Sequence, residues 1–157
     1  MKKLRCLYVP AEQANNLIKY FLKLCAHDQS IFNKVAKVII RNKLQKKYNI
    51  IIGDRCTIGN GISFPHPQNI VIGQRVAIGI NCTIYQDVTI GQKNGKYPKI
   101  GNNVIIYPGA KIFGDIEIGN NSVIGANSVV CKSFPDYSVG AGIPAIVVGE
   151  YKDGKYY

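Results

Sequence analysis

Large apolar residues recur every six residues along most of the chain, and this spacing constrains the fold more than any other feature. The rhythm runs from Ile52 to Val130 and is interrupted twice, between residues 64 and 72 and between residues 90 and 100. Gly follows the apolar anchor at eight of the thirteen positions. A period of six matches neither the ~3.6 residues of an amphipathic helix nor the alternation of a half-buried strand. The anchors are Ile52, Ile58, Phe64, Ile72, Ile78, Ile84, Ile90, Ile100, Ile106, Ile112, Ile118, Ile124 and Val130.

Such a period predicts a coiled sheet in which each turn contains three short strands, joined by tight corners that Gly tolerates. Three units per turn stack the anchors in three ladders, and the branched, stiff side chain of Ile packs well on pleated backbone. An ordinary sandwich of short strands is the alternative, and it needs polar turns every ~8–12 residues. The predicted ladders are 52, 72, 90, 112 and 130; 58, 78, 100 and 118; and 64, 84, 106 and 124.

The first 50 residues have a different character. They contain 11 Lys and Arg against 2 Asp and Glu, a net charge of +9, whereas the rest has 9 against 7, a net charge of +2. Apolar residues at helical spacing between Ala11 and Tyr48 predict two or three helices with a break near residues 27–30, where Asp28 or Ser30 would cap the second helix. We therefore divide the chain into a basic helical segment (1–50), a coiled catalytic region (51–134) and a closing loop with a tail (135–157).

Residues 34–47 concentrate the basic charge. The main interpretation is a solvated helical face whose apolar stripe packs on the rest of the protein. The alternative is a surface that meets anionic membrane lipid or an anionic acceptor. No nucleic-acid partner is expected, because no recognition motif accompanies the charge.

Composition narrows the class of protein further. A hydrophobic content of 46% is too high for a disordered chain, and no stretch approaches the ~20 apolar residues that span a bilayer. The five cysteines are scattered and never form a CxxC pair, which indicates neither a disulfide framework nor a structural zinc site. Since the N-terminus lacks a credible secretory segment, we expect a cytoplasmic protein, with a peripheral position at the inner membrane face as the alternative.

Three stretches resemble a known family: FPHPQNIVIG (64–73), YPKIGNNVIIYPGAKIFGDIEIGNNSVIGANSVV (97–130) and GAGIPAIVVG (140–149). They are similar to the hexapeptide-repeat acyltransferases, both to the serine acetyltransferase branch and to its relatives that O-acetylate sugars and surface polysaccharides. The resemblance implies an all-β fold, a left-handed parallel β-helix, here preceded by a short α-helical segment. It also implies acetyl-CoA as co-substrate, no permanently bound cofactor and a homotrimer with sites between subunits.

His66 is the candidate general base. Transfer of an acetyl group to an alcohol needs a base, and a neutral imidazole with a pKa near ~6.5 can take the proton. His66 lies where the six-residue rhythm gains two residues, whereas His27, the other histidine, is expected at a helix end or on the surface. The resemblance assigns the base to the same segment. Two histidines are too few for the three-histidine zinc site of a carbonic anhydrase on this fold, so no metal is expected.

Further site residues follow from the ladders and from the resemblance. Stacking of Phe64 over Ile84 brings Asp87 near His66, where its carboxylate could orient the imidazole or could remain a solvated charge. Tyr85, Tyr97 and Tyr107 are candidates for acceptor binding, with subunit packing as the alternative for the Tyr85 and Tyr107 ladder. For acetyl-CoA, the resemblance implies Ala110, Ala126, Lys132, Gly142, Ile143 and Pro144.

The acceptor is where the chain departs from the serine enzymes. Ile51 and Pro65 stand where that branch has Asp, and Tyr97 stands where it has a second His. We therefore expect a sugar or glycan-precursor hydroxyl as acceptor, with serine as the alternative. A β-helix scaffold without activity is the second alternative, although it would need neither the insertion at His66 nor the loop at residues 141–145.

Overall fold

A computed structural model describes residues 9–26 and 30–157. Two helices come first, α1 (Val9–Ala26) and α2 (Ile31–Tyr48), as the apolar spacing predicts. The Ser30 hydroxyl accepts a hydrogen bond from the Asn33 amide at 3.3 Å and caps α2, whereas His27 and Asp28 lie outside the described residues. Asn49 ends α2 in the left-handed conformation, with φ of 53°.

Short strands then wind in coils from Ile51 to Gly142, and the last two strands pair antiparallel as a C-terminal hairpin. The two-residue strands are β1 (Ile51–Ile52), β2 (Thr57–Ile58), β3 (Val71–Ile72), β4 (Ala77–Ile78), β5 (Thr83–Ile84), β7 (Lys99–Ile100), β8 (Ile105–Ile106), β10 (Glu117–Ile118), β11 (Val123–Ile124), β12 (Val129–Val130) and β15 (Lys155–Tyr156). The longer strands are β6 (Thr89–Gly91), β9 (Lys111–Phe113), β13 (Ser138–Gly142) and β14 (Ala145–Lys152).

The strands form three faces of a prism. Sheet one has the order β1-β3-β6-β9-β12, sheet two β10-β7-β4-β2, and sheet three β15-β14-β13-β11-β8-β5. Pairing within the coils is parallel, and every predicted ladder appears in the register, as in Ile52 opposite Ile72 and Ile84 opposite Ile106. The bridge between Ser63 and Thr83 places Phe64 over Ile84. The predicted coiled sheet is therefore confirmed.

The interior of the prism is a column of apolar side chains from the three ladders. Ile84, Ile90, Ile106 and Ile112 are fully buried, and the smaller residues four positions after the anchors fill the space between them. We call the corner after sheet three and before sheet one the three–one corner, and the corner after sheet one and before sheet two the one–two corner.

The structure differs from the expectations in two respects. Strand β13 pairs in parallel with β11, so the coils continue to residue 142 and do not end at residue 134. In α2 the apolar stripe of its first half does not pack on the protein, because Ile31, Phe32, Val35, Val38 and Ile39 are exposed and the helix docks through Ile40, Leu44 and Tyr48. Within the described residues, no helix is long and apolar enough to cross a membrane.

Candidate active site

The two extra residues between Phe64 and Ile72 place His66 on the outside of the three–one corner. Phe64 is 1% exposed and fixes the end of the preceding strand, while His66 itself is exposed. A tight turn follows, in which the Gln68 amide donates to the His66 carbonyl at 2.8 Å. The regular coil resumes at Gln68, whose carbonyl accepts a hydrogen bond from the Asp87 amide of the next coil at 3.2 Å. The imidazole is thus displayed on irregular backbone that rests on a rigid coil.

An aromatic column rises beside His66 along the same corner. The ring centroids of His66 and Tyr85 lie 6.2 Å apart, and those of Tyr85 and Tyr107 lie 5.3 Å apart in a stacked arrangement with an interplanar angle of 17°. This confirms that the ladder sets Tyr85 and Tyr107 one above the other. The two stacked rings form an aromatic column next to the imidazole.

The C-terminal tail contacts this aromatic column. The Tyr107 and Tyr156 hydroxyls lie 2.9 Å apart, which places β15 against the aromatic column. The hydrogen bond with Tyr107, followed by burial, raises the pKa of Tyr156 to about 12. The Tyr156 phenol therefore stays protonated at neutral pH and does not serve as a base there. Nothing in the sequence pattern predicts this contact between residues 49 positions apart.

The Asp87 carboxylate is hydrogen-bonded to Asn69. It accepts a hydrogen bond from the Asn69 amide at 2.6 Å, and the Asn69 oxygen accepts one from the Asn49 amide, also at 2.6 Å. All three residues have positive φ, 53° at Asn49, 54° at Asn69 and 61° at Asp87, and this shared left-handed conformation aligns their side chains as a ladder. Within the described residues no hydrogen bond joins Asp87 to the His66 ring, and the orienting role of Asp87 stays a prediction.

Helix α1 adds residues to the site that the sequence analysis missed. The Asn15 side-chain amide donates to the Phe64 carbonyl at 3.0 Å, which fixes α1 against the strand that leads to His66. Between them lies an open cavity of about 500 Å³, and Glu12 and Lys19 are among the residues that line it. Phe64 and Pro65 form its opposite wall. The cavity therefore combines an acidic and a basic side chain next to the segment of the candidate base.

The residues predicted for acetyl-CoA divide into accessible and inaccessible ones. Ala110 is fully buried in the prism, and its role in acetyl-CoA binding stays a prediction. Ala126 is exposed at the three–one corner, and β11 pairs with β13 beside it. The Gly142 amide donates to the Ser128 hydroxyl at 3.3 Å and holds the turn that exposes Ile143 and Pro144.

Tyr97 and Lys132 lie at the one–two corner. Tyr97 belongs to the loop between β6 and β7, packs beside Gly73 and lines a cavity of about 620 Å³ with Lys99 and Asp115. Lys132 follows β12 at the same one–two corner and is exposed. Within one chain these two residues are therefore separated by sheet one from His66, Tyr85 and Tyr107.

The repeat is also recognised by comparison with known proteins. The family model described as bacterial transferase hexapeptide (six repeats) matches residues 97–132. The chain carries the hexapeptide repeat of the bacterial transferases. In this hexapeptide-repeat protein the match covers the coils from β7 to β12.

Serine acetyltransferases are among the relatives of this hexapeptide-repeat protein. The enzyme named so from Haemophilus influenzae is 36% identical over 126 residues, 78% of this chain and 47% of that protein. The one from Staphylococcus aureus strain Mu50 is 46% identical over 95 residues, 58% of this chain and 45% of that protein. The chain thus spans about half the length of the curated relatives it matches.

A solved structure extends the likeness to the fold. A serine acetyltransferase in complex with CoA superposes with a TM-score of 0.75 at 33% identity, covering 90% of this chain and 58% of the other. The similarity confirms the predicted left-handed parallel β-helix behind a short helical segment. All three relatives are named serine acetyltransferases, so they support the serine alternative over the sugar prediction and give no support to the polysaccharide branch.

Proposed function

We propose that this chain is an acetyl-CoA-dependent O-acetyltransferase with His66 as general base. The observation that carries the proposal is the exposed imidazole on an insertion of a coil that otherwise follows the fold of serine acetyltransferases. The similar serine acetyltransferase that was solved in complex with CoA supports acetyl-CoA as the donor. Ala126, Lys132, Gly142, Ile143 and Pro144 remain the proposed donor contacts.

The reaction balances without a cofactor. The neutral His66 ring takes the proton of the acceptor hydroxyl as the oxygen attacks the thioester carbonyl. The tetrahedral intermediate then collapses, the C–S bond breaks, and the imidazolium returns the proton to the CoA sulfur. The products are the O-acetyl ester and free CoA thiol, and the base is ready for another cycle.

L-Serine is the acceptor that we propose first. The branch-specific acidic residues are missing at Ile51 and Pro65, but Glu12 and Lys19 supply a carboxylate and an ammonium in the cavity next to Pro65. A free amino acid offers the complementary pair, an ammonium for Glu12 and a carboxylate for Lys19. In this proposal helix α1 supplies the charged groups for serine binding, because Ile51 and Pro65 of the coil carry no charge.

A hexose-type hydroxyl is the second candidate. The Tyr85 and Tyr107 rings form an aromatic column beside His66, and the carbon surface of such a column suits the C–H groups of a pyranose. This observation is independent of Glu12 and Lys19, so the two acceptors make different demands on the site.

We further propose that the complete site forms between subunits of a homotrimer. His66 and the aromatic column lie at one corner, whereas Tyr97 and Lys132 lie at another. A threefold assembly of prisms brings the three–one corner of one copy next to the one–two corner of its neighbour. The loop that contains Tyr97 would then close the neighbouring His66 site.

The test is CoA thiol release from acetyl-CoA with L-serine, free hexoses and nucleotide sugars as acceptors. We expect L-serine to give the highest kcat/KM, and Glu12→Gln to lower it roughly tenfold or more because a charge-assisted hydrogen bond is lost. Asp54→Asn is the matched control, since it removes an exposed carboxylate that pairs with Arg41 far from the cavity. A sugar with a higher kcat/KM, unaffected by Glu12→Gln, would favour the second candidate.

A further inference from the structure

Helix α2 is apolar on two opposite sides. Its inner side docks through Ile40, Leu44 and Tyr48, which are at most 7% exposed. Its outer side carries exposed apolar side chains, which we call the outer face of α2: Ile31 at 78%, Phe32 at 88%, Val35 at 53%, Val38 at 46% and Ile39 at 60%. At ~100° per residue these positions lie opposite the docked ones.

Such an arrangement is unusual for a helix with one covered side. A surface helix normally turns polar residues to water once its apolar stripe is buried. Here the docked side already satisfies the core, and the outer face gathers five large apolar residues within nine positions. Contiguous exposed apolar residues of this kind indicate an interaction surface.

The charges around the outer face have one sign. Helix α2 contains six cationic residues and no Asp or Glu. Lys34 is exposed beside the apolar residues, and Lys43 and Lys46 are exposed on the turns that follow them. Arg41 pairs with Asp54, and Lys47 donates to the Gln13 side chain at 3.1 Å, so these two already have partners within the chain.

We propose that the outer face of α2 docks on an anionic lipid surface, with Ile31, Phe32, Val35, Val38 and Ile39 in the acyl boundary and Lys34, Lys43 and Lys46 at the headgroups. An apolar face bordered by lysines on one helix is the pattern of helices that lie in the membrane interface. The helix lies on the membrane and does not cross it, in agreement with the absence of a spanning helix in the described residues.

Charge decides against a second copy of the chain as the occupant. A second α2 would bring another six cations and no carboxylate to the same contact. Juxtaposed like charges oppose such a contact. Phosphate groups alone would satisfy the lysines but would leave Phe32 and Ile39 exposed, which favours a lipid over a polyanion.

The experiment is co-sedimentation of the full chain with vesicles of phosphatidylcholine alone or mixed with phosphatidylglycerol. We expect binding to the mixed vesicles and weak binding to phosphatidylcholine. The binding should fall as salt rises, because the Debye length is ~8 Å at physiological ionic strength. Phe32→Ser with Ile39→Ser should weaken it about tenfold or more. Lys43→Gln with Lys46→Gln should weaken it roughly 25-fold, about fivefold for each lysine.

Matched controls come from the C-terminal hairpin. Val148→Ser removes an apolar side chain that is 58% exposed, and Lys152→Gln with Lys155→Gln removes two exposed cations. These variants should bind vesicles as the wild type does. All variants change exposed side chains, so circular dichroism and melting should match the wild type.

Three outcomes would overturn the proposal. The first is equal binding to neutral and anionic vesicles, and the second is anionic binding that the α2 variants leave unchanged. The third is a change of assembly size in sedimentation velocity with Phe32→Ser and Ile39→Ser while vesicle binding persists, which would assign the outer face to a second copy. None of these outcomes depends on acetyl transfer, so the proposal is tested separately from the proposed function.

Discussion

His66 illustrates how a residue gains a role from its place in the repeat. The insertion that exposes it is visible in the sequence as a step of eight residues, instead of six, from Phe64 to Ile72. The contacts of the ring are only partly visible in the sequence, because they depend on the neighbouring coil. Tyr85 lies beside the ring as the ladder predicts, whereas Asp87 turns to Asn69 because both residues adopt the left-handed corner conformation.

Replacement of His66 tests the assignment of the base. His66→Ala should lower kcat about 10²–10⁴-fold, because the hydroxyl then attacks without a positioned base. Steady-state kinetics with acetyl-CoA and the best acceptor gives the ratio. The melting temperature should not change, since the side chain is exposed and has no hydrogen-bond partner in the described part of the chain. Turnover close to that of the wild type would remove His66 from the mechanism.

Cys56 connects a single residue to the pH dependence of stability. Burial, followed by the neighbouring Cys25, raises the pKa of the Cys56 thiol from 9.0 to about 12. The unfolded chain then loses this proton at a lower pH than the folded chain. The contribution of Cys56 is therefore complete below pH 9 and declines as the pH rises towards about 12.

Denaturant unfolding at several pH values checks this prediction. Cys56→Val keeps a similar volume without a titrating group, so its loss of stability above pH 9 should be smaller than that of the wild type. Below pH 9 the difference between the two proteins should be constant. Parallel curves across the alkaline range would contradict the assigned pKa.

At the scale of the coil, the glycines after the anchors have a packing role. A Cβ on Gly53 would lie 2.3 Å from the Gln74 Cα and 2.5 Å from the Gln74 nitrogen, which are backbone atoms of the next coil. The positive φ values of the corners fall mainly on Asn and Asp, for example 55° at Asn81 and 55° at Asn103. Close stacking of successive coils, and not a left-handed turn, requires Gly at this position.

Two glycines of sheet one make a matched pair for this idea. Gly53→Ala should destabilise the protein by about 1–3 kcal/mol, because fixed backbone must move to admit the methyl group. Gly91→Ala at the same repeat position should be neutral or stabilising by about 0.4–1 kcal/mol, since no atom lies within 4 Å of its Cβ. Chemical denaturation measures both. Equal effects would show that the space between coils does not decide the residue type.

At the scale of the whole molecule, the sites of the proposed reaction depend on assembly. Tyr97 and Lys132 lie on a different corner from His66, so one chain does not contain the proposed arrangement in one place. The flat faces of the prism allow neighbouring copies to bring the two corners together. In the proposed trimer, each chain therefore contributes its His66 corner to one cleft and its Tyr97 and Lys132 corner to another.

Mixed oligomers test the shared site. We expect His66→Ala chains and Tyr97→Ala/Lys132→Ala chains to be weakly active alone. Co-expression with two affinity tags should restore activity, because about one in three clefts of every trimer that carries both tags combines two intact corners. Activity assays on oligomers that carry both tags give the result. Mixed oligomers without recovery would place each site within one chain.

The sequence by itself determined the coil. The six-residue period set the strands, the ladders, the apolar column and the exposed insertion at His66, because in a solenoid each residue contacts the coil next to it, about 18 residues away. The left-handed corners at Asn were the part of the coil that Gly spacing did not indicate. The register followed from counting, without any long-range information.

Only the tertiary structure decided which face of each N-terminal helix packs against the coil. The period of α2 predicts an apolar stripe but not its direction, and docking through Leu44 and Tyr48 left Phe32 outside. The docking of α1 likewise placed Glu12 beside Pro65 through contacts between residues 49 positions apart, such as Asn15 with Phe64. The choice among faces depends on the free energy of packing distant surfaces, which no local pattern encodes.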